Sequence, residues 1–353
     1  MKITQVMLAK DFGGAERLFV DLCLSLSELG QQVQAICLAG SKAAQILRQH
    51  PQVKVQTISV LGIWDPFAPG KIGRLLRQHK SQIVQAHLAR GAFLAGKACK
   101  KQGLPLVVTT HNYINTKYYN YVTMLVPPTR DQFAYYLQKG VAADRMKIIN
   151  HFSPIDAVKN STNNNSATLR IVTLGRLVKK KGYHVLIDAF AKLEEKTGIK
   201  HKLEIGGNGP QRRALLAQVE TLGLADKVTL TGWVDDVVGF LQGGDLFVLP
   251  SLDEPFGIVV LEAMALGLPI VSSDSRGPAE ILDADTAWLA KAGDTESLAA
   301  ALQAACDDQD ERKRKSENAL QRFKQTYSKQ AVIPEFIALF DSLLAKESRP
   351  SQH

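Results

Sequence analysis

Two carboxylates, Glu254 and Glu262, stand eight residues apart in the largely apolar stretch Ser251-Leu-Asp-Glu-Pro-Phe-Gly-Ile-Val-Val-Leu-Glu-Ala-Met-Ala265. A carboxylate in such a setting needs a cation, hydrogen-bond donors or a polyhydroxylated ligand. The run Asp245-Leu-Phe-Val-Leu249 before it reads as a buried strand, and Gly257 to Ala265 reads as a helix whose first turn is Phe256, Gly257 and Ile258. Free N–H groups at a helix start favour an anion such as a phosphate, and Gly257 lets it come close to the backbone. A hydroxyl-rich ligand would satisfy Glu262. The plainer alternative is that Glu262 pairs with a nearby Lys or Arg and Glu254 merely caps the helix.

Other strand-to-helix junctions carry residues of matching chemistry. Gly175-Arg-Leu-Val-Lys-Lys-Lys-Gly182 places Arg176 at a strand end and Lys181 before a helix. Two fixed cations beside a helix N-terminus suit a leaving diphosphate when no metal neutralises it. A solvated loop accounts for Lys179 and Lys180. Ile205-Gly-Gly-Asn-Gly-Pro210 offers close backbone approach at Gly207 and Gly209, and Thr231-Gly-Trp-Val234 ends a strand where the backbone around Trp233 and Val234 could read a base edge. Ordinary turns explain both equally well. Asp11-Phe-Gly-Gly-Ala-Glu16 is not a dinucleotide fingerprint, but Gly13 and Gly14 would permit backbone conformations and ligand approach that side chains forbid. His87 and His111 each end a strand; His111, with polar neighbours, is the stronger site candidate.

These junctions must be held by a scaffold, and its pattern is plain. Strand candidates Ile3 to Ala9, Val33 to Ala39, Val53 to Val60, Ile83 to His87 and Leu106 to Thr110 alternate with helix candidates. The alternation restarts at Leu169 to Leu174 and continues past Ile270 to Ser273, which implies parallel sheets with crossover helices. The fold class is α/β, with two Rossmann-like domains and a cleft between them. Expected boundaries are 1–156 for the first domain, 157–168 for a polar linker, 169–325 for the second, and 326–353 for a C-terminal helix returning to the first. Arg312-Lys-Arg-Lys315 reads as a solvated helix face.

At 353 residues the chain suits two domains. No apolar run reaches the ~20 residues of a membrane span, and the N-terminus lacks a signal-peptide pattern, which predicts a cytoplasmic protein. Cys23, Cys37, Cys99 and Cys306 are scattered, so neither a disulfide framework nor a metal site is indicated. Residues 1–156 hold 19 Lys/Arg against 8 Asp/Glu, a balance of +11 that points to an anionic partner. Lys71, Arg74, Arg77 and Lys80 recur around Ile72, Leu75 and Leu76 as one cationic helix face, which fits a peripheral contact with an anionic membrane. A generally basic solvated surface is the alternative. No nucleic-acid-binding pattern surrounds Lys117 and Tyr118, Tyr119 and Tyr121.

Taken together, Gly13-Gly-Ala-Glu16, Thr110-His111, the Gly175–Gly182 loop, Gly207-Asn-Gly-Pro210, Pro250 to Gly257, and Glu262-Ala-Met-Ala-Leu-Gly-Leu-Pro269 resemble the retaining nucleotide-sugar glycosyltransferases of family 4, with the GT-B fold. The resemblance runs from residue 2 to about 305 and is strongest in the second half. It implies that Arg176 and Lys181 hold the donor diphosphate with the backbone around Phe256, Gly257 and Ile258. It further implies that Glu262 takes the ribose hydroxyls, Glu254 touches the transferred sugar, the Gly14 loop closes over the phosphates, and His111 lies beside sugar and acceptor. No cofactor or metal is implied. Met124-Leu-Val-Pro-Pro-Thr129 and His151-Phe-Ser-Pro-Ile-Asp156 depart from the family pattern.

The expected activity is transfer of a hexose from a UDP-sugar, with retention, to a hydroxyl of a glycan or lipid-linked acceptor such as a lipopolysaccharide intermediate at the inner face of the membrane. The competing readings are a catalytically silent nucleotide-sugar binder and a sugar-nucleotide epimerase. No nucleic acid is expected as partner.

Overall fold

Each half of the chain winds into its own six-stranded parallel sheet. The computed structural model describes residues 1–158, 168–197 and 201–347. The first sheet contains β1 (Lys2–Met7), β2 (Gln32–Leu38), β3 (Val53–Ile58), β4 (Ile83–His87), β5 (Leu106–Thr109) and β6 (Met124–Val126), in the order β3-β2-β1-β4-β5-β6. The second contains β7 (Arg170–Leu174), β8 (Lys202–Gly206), β9 (Val228–Gly232), β10 (Leu246–Leu249), β11 (Ile270–Ser273) and β12 (Trp288–Ala290), in the order β12-β11-β10-β7-β8-β9. Both orders reverse direction once, between β1 and β4 and between β10 and β7. In open parallel sheets, loops at the carboxyl ends on either side of such a reversal splay apart and leave a ligand-sized crevice.

The strands are apolar because helices cover both faces of each sheet. In the second sheet Ile171, Leu203, Ile205, Val248 and Val271 pack into one core, while Val172, Phe247, Leu249 and Ile270 pack into another on the opposite face. That alternation is the period of two expected of a pleated strand. In the first sheet, Ile3, Val6, Ala35, Ile36, Val84 and Val108 are fully buried. β6 and β12 were not anticipated. Each is only three residues long and sits at a sheet edge, too short for periodicity to register. β6 occupies the Met124–Thr129 segment that departs from the family pattern, and Thr129 then caps the helix Arg130–Gln138 by accepting from the Gln132 N–H (3.1 Å).

Two compact units result. One comprises residues 1–154 with the helix Lys329–Glu347, which packs on the helix Gly14–Glu28; the other comprises residues 155–328. The expected linker 157–168 begins as a tether, since the Val158 N–H donates to the Ala265 carbonyl (2.9 Å) and Ala157 packs against the second unit's core. Its remainder, 159–167, lies outside the described residues. Among the described residues, no helix is long and apolar enough to cross a membrane.

One expectation is corrected. Arg312-Lys-Arg-Lys315 is not a uniformly solvated face. Arg312 donates to the carbonyls of Ala305 and Cys306 (both 2.7 Å), the uncapped end of the helix Thr295–Asp307. Lys315 is buried, donates to the Ala284 carbonyl and lies over the Trp288 ring (5.2 Å). Only Lys313 and Arg314 are exposed.

Candidate functional site

In the second unit, the loops leaving β7 and β10 flank the strand-order reversal, and their residues meet there. Lys181 closes the short 3-10 turn Lys179–Lys181 after β7, and its ammonium pairs with the Glu254 carboxylate from the loop after β10. Both side chains are mostly buried, 18% and 11% exposed, and Ser251 Oγ donates to the same carboxylate oxygen (3.4 Å). The loops are clipped along the backbone as well: the Leu252 N–H donates to the Lys180 carbonyl (2.8 Å). Gly182 makes this approach possible. Its φ is +67°, and a Cβ there would stand 2.0 Å from the Pro250 carbonyl oxygen.

The helix after β10 runs from Ile258 to Ala265, so it opens one residue later than expected. Gly257 precedes it in the left-handed region, φ 98° and ψ 58°, and the Val260 N–H turns back to the Gly257 carbonyl (2.9 Å). Phe256 is buried against Tyr327, at 6.4 Å between ring centroids. Glu262 sits one turn after Ile258 and is buried at 6% exposure. Spacings of four and three place it on the face shared by Ile258 and Val259, which are themselves only partly buried. The remaining residues lie on the same carboxyl edge. Arg176 is exposed at the end of β7. The loop after β8 crosses so close to it that a Cβ on Gly207 would meet the Gly175 carbonyl at 1.9 Å, and one on Gly209 the Leu177 carbonyl at 2.4 Å. Trp233 and Val234 follow β9, the edge strand, farther from the reversal; the Trp233 indole N–H donates to Asp235 (2.9 Å).

Tyr183 escaped sequence reading. It is buried behind Lys181, with its hydroxyl 2.7 Å from where a Gly175 Cβ would be, and burial together with the nearby Glu254 charge pushes its phenol up. Its place at the start of an apolar-patterned helix disguises it as core. Ser273 Oγ similarly ties β11 to the Ser251 carbonyl (2.6 Å).

In the first unit, the reversal lies between β1 and β4, beside the Gly13-Gly14 loop and the strand-end histidines. Gly13 is in ordinary extended backbone (φ −138°), and neither it nor Gly14 has a positive φ, so the conformational argument for these glycines does not hold. Gly13 instead starts the helix Gly14–Glu28, with its N–H bonded to the Glu16 carboxylate (2.9 Å). Leu88 does take the left-handed region, φ 60°, turning the chain sharply out of β4 after His87.

His111 follows the end of β5 and is buried with His87 and His151 in one stack. His87 Nδ1 lies 3.1 Å from His111 Nε2, and the His111 and His151 ring centroids are 5.0 Å apart. The Gln5 side-chain N–H donates to Gln85 Oε1 (2.8 Å), and Gln5 Oε1 faces His87 Nε2 (3.1 Å), which must therefore donate. A neutral His87 then accepts from His111 Nε2–H, leaving Nδ1 as the acceptor nitrogen of His111. Burial keeps the stack neutral: His111 is held down to about 3, and His87 and His151 well below the ordinary imidazole range.

A family model described as Glycosyltransferase Family 4 matches residues 12–152, and one described as glycosyl transferases group 1 matches residues 154–322. The lipopolysaccharide core biosynthesis glycosyltransferase LpsD of Rhizobium meliloti is 28% identical over 351 residues, covering 98% of this chain and all of that one. Among solved structures, Anabaena HepE in complex with UDP and glucose superposes with a TM-score of 0.83 at 20% identity, over 97% of this chain and 100% of that chain. The lipopolysaccharide outer core galactosyltransferase WaaB, in its apo form, gives 0.75 at 19%, over 97% and 100%.

Proposed function

The chain belongs to the group 1 glycosyltransferases, with the two-domain GT-B fold, and from that premise we propose that it moves a hexose from a UDP-sugar to a hydroxyl of a glycan or lipid-linked acceptor, with retention. The observation that carries this reading is the Lys181–Glu254 pair at the strand-order reversal, beside the helix that Gly257 opens. Lys181, Arg176 and the first N–H groups of that helix stabilise the charge that grows on the departing diphosphate. Glu262 orients the nucleotide by accepting from its ribose hydroxyls, and Glu254 orients the sugar while sharing the Lys181 ammonium with the phosphate. As the sugar–phosphate bond breaks, the departing phosphate takes the proton of the acceptor hydroxyl, which attacks from the same face. Within the first unit, His111 presents Nδ1 as an acceptor for a substrate hydroxyl. The two cations do the work that a metal would otherwise do, so transfer persists in chelator.

A UDP donor is supported by the UDP-bound Anabaena relative, and an anionic cell-surface glycan acceptor by the Rhizobium relative and the basic first half of the chain. Titration calorimetry with UDP tests the donor side. Replacing Glu262 with Ala is expected to weaken binding by at least roughly hundred-fold, the loss of two charge-assisted hydrogen bonds at about 1.5 kcal/mol or more each. Equal affinity in wild type and variant would remove Glu262 from the nucleotide site. The anomeric configuration of the product by NMR tests retention.

A further inference from the structure

The loop between β3 and the helix Ala68–His79 is closed by a single carboxylate. Asp65 is buried, at 4% exposure, and accepts from the N–H groups of Leu61 (2.8 Å), Phe67 (2.8 Å) and Ala68 (3.0 Å). Those bonds hold its carboxyl below the ordinary range. Lys71 adds a bond to the Ser59 carbonyl (3.3 Å). From this loop Ile63 packs against the core, but the other large apolar side chains turn outward. Leu61, Trp64 and Phe67 are 89%, 63% and 68% exposed, the three most exposed large hydrophobic side chains among the described residues. Apolar tips crowded into seven residues of an ordered loop mark a contact surface.

The surroundings identify the partner's chemistry. Trp64 leans on Phe93 (4.9 Å between centroids) and Tyr118 (6.4 Å), and Lys97 and Lys117 lie over those two rings, at 4.4 and 5.1 Å. Between Glu28 and Asp131 the chain carries thirteen Lys or Arg and one carboxylate. That carboxylate is Asp65, spent on its own loop. The apolar tips are therefore flanked by cations with no acidic residue nearby in sequence to offset them. Tryptophan, leucine and phenylalanine tips beside lysines match a bilayer interface, where rings and aliphatic tips enter the headgroup boundary and ammonium groups meet lipid phosphates. Base stacking would use Trp64 but has no use for a leucine at 89% exposure.

We propose that the Leu61–Phe67 loop docks the first unit on an anionic lipid bilayer, with Leu61, Trp64 and Phe67 inserted and Lys71, Lys97 and Lys117 on the headgroups. The proposed lipid-linked acceptor gives docking its purpose, but docking is measured without donor or acceptor and stands or falls by itself. The test is co-sedimentation of the full chain with phosphatidylcholine vesicles, with and without phosphatidylglycerol. Wild type binds the anionic vesicles and is released by salt. The Leu61→Ser, Trp64→Ser, Phe67→Ser variant loses at least roughly ten-fold in partition while it still unfolds cooperatively and its UDP affinity stays at the wild-type value. Lys97→Glu with Lys117→Glu removes the preference for anionic lipid. Wild type that stays in the supernatant, or a triple variant that partitions like wild type, overturns the proposal. So does a wild-type dimer that the triple variant converts to monomer, since the loop would then belong to a second copy of the chain.

Discussion

Lys181→Ala is expected to lower kcat by about 10²–10³-fold and to destabilise the second unit by about 3 kcal/mol, the two largest consequences of any single side chain at the candidate site. The catalytic loss follows from removing a fixed cation from the leaving diphosphate. The stability loss has a separate cause. Glu254 is 11% exposed, and without the ammonium it keeps only the long Ser251 contact at 3.4 Å. A buried carboxylate left that way costs more than the pair contributed, because its desolvation is no longer offset. The partial exposure of Lys181 places the estimate at the lower end of the range for buried pairs. Combining Lys181→Ala with Glu254→Gln separates the two effects: thermal stability recovers toward wild type while transfer stays lost. A single variant with near wild-type turnover would remove Lys181 from the reaction.

Acidification is expected to unfold the first unit before the second, with a steep pH dependence. His87, His111 and His151 are neutral in the folded chain, His111 with its pKa held down to about 3 by burial. In the unfolded chain each takes up a proton near 6.5. Below that pH the unfolded state holds up to three more protons, so the stabilisation is complete above about 6.5 and is lost as the pH falls toward 3. Three protons correspond to about 4 kcal/mol per pH unit, enough to exhaust the stability of an ordinary domain within two to three units. The second unit contains one histidine lowered by burial, His201, with the carboxylates of Glu194 and Asp307 acting in the opposite direction. Urea unfolding followed from pH 7 to pH 4 measures the slope, and His151→Phe should reduce it by about one third. A slope unchanged by that variant would show that the stack does not carry the acid sensitivity.

The alternation of apolar strands and helices made both parallel sheets legible in the sequence, because a strand buried on two faces has almost no freedom of composition. Strand ends that carry Gly, Lys, Glu or His were legible for a related reason: they interrupt runs that packing would otherwise keep apolar. β6, β12 and the helix Arg130–Gln138 were not. The strands are three residues long, and the helix has only Gln132 and Tyr136 buried, which leaves no apolar period to detect. Lys315 was misread for a similar reason. A lysine in a charged helix reads as solvated until the Trp288 ring and the Ala284 carbonyl are placed against it.

The sequence alone determined the chemical inventory and its local placement: Glu254 and Lys181 in loops after strands, Glu262 in the helix that follows Glu254, His87 and His111 at strand ends. Which of these groups meet was decided only by tertiary structure. Lys181 and Glu254 are 73 residues apart, and they pair because β7 lies beside β10 rather than β9 in the second sheet. His87 and His111 stack because β4 and β5 are neighbours, and His151 joins them from outside the sheet. Strand order is set by non-local hydrogen bonding and by how the helices cover the sheet. A linear pattern reports what each strand must bury, not which strand it must sit beside.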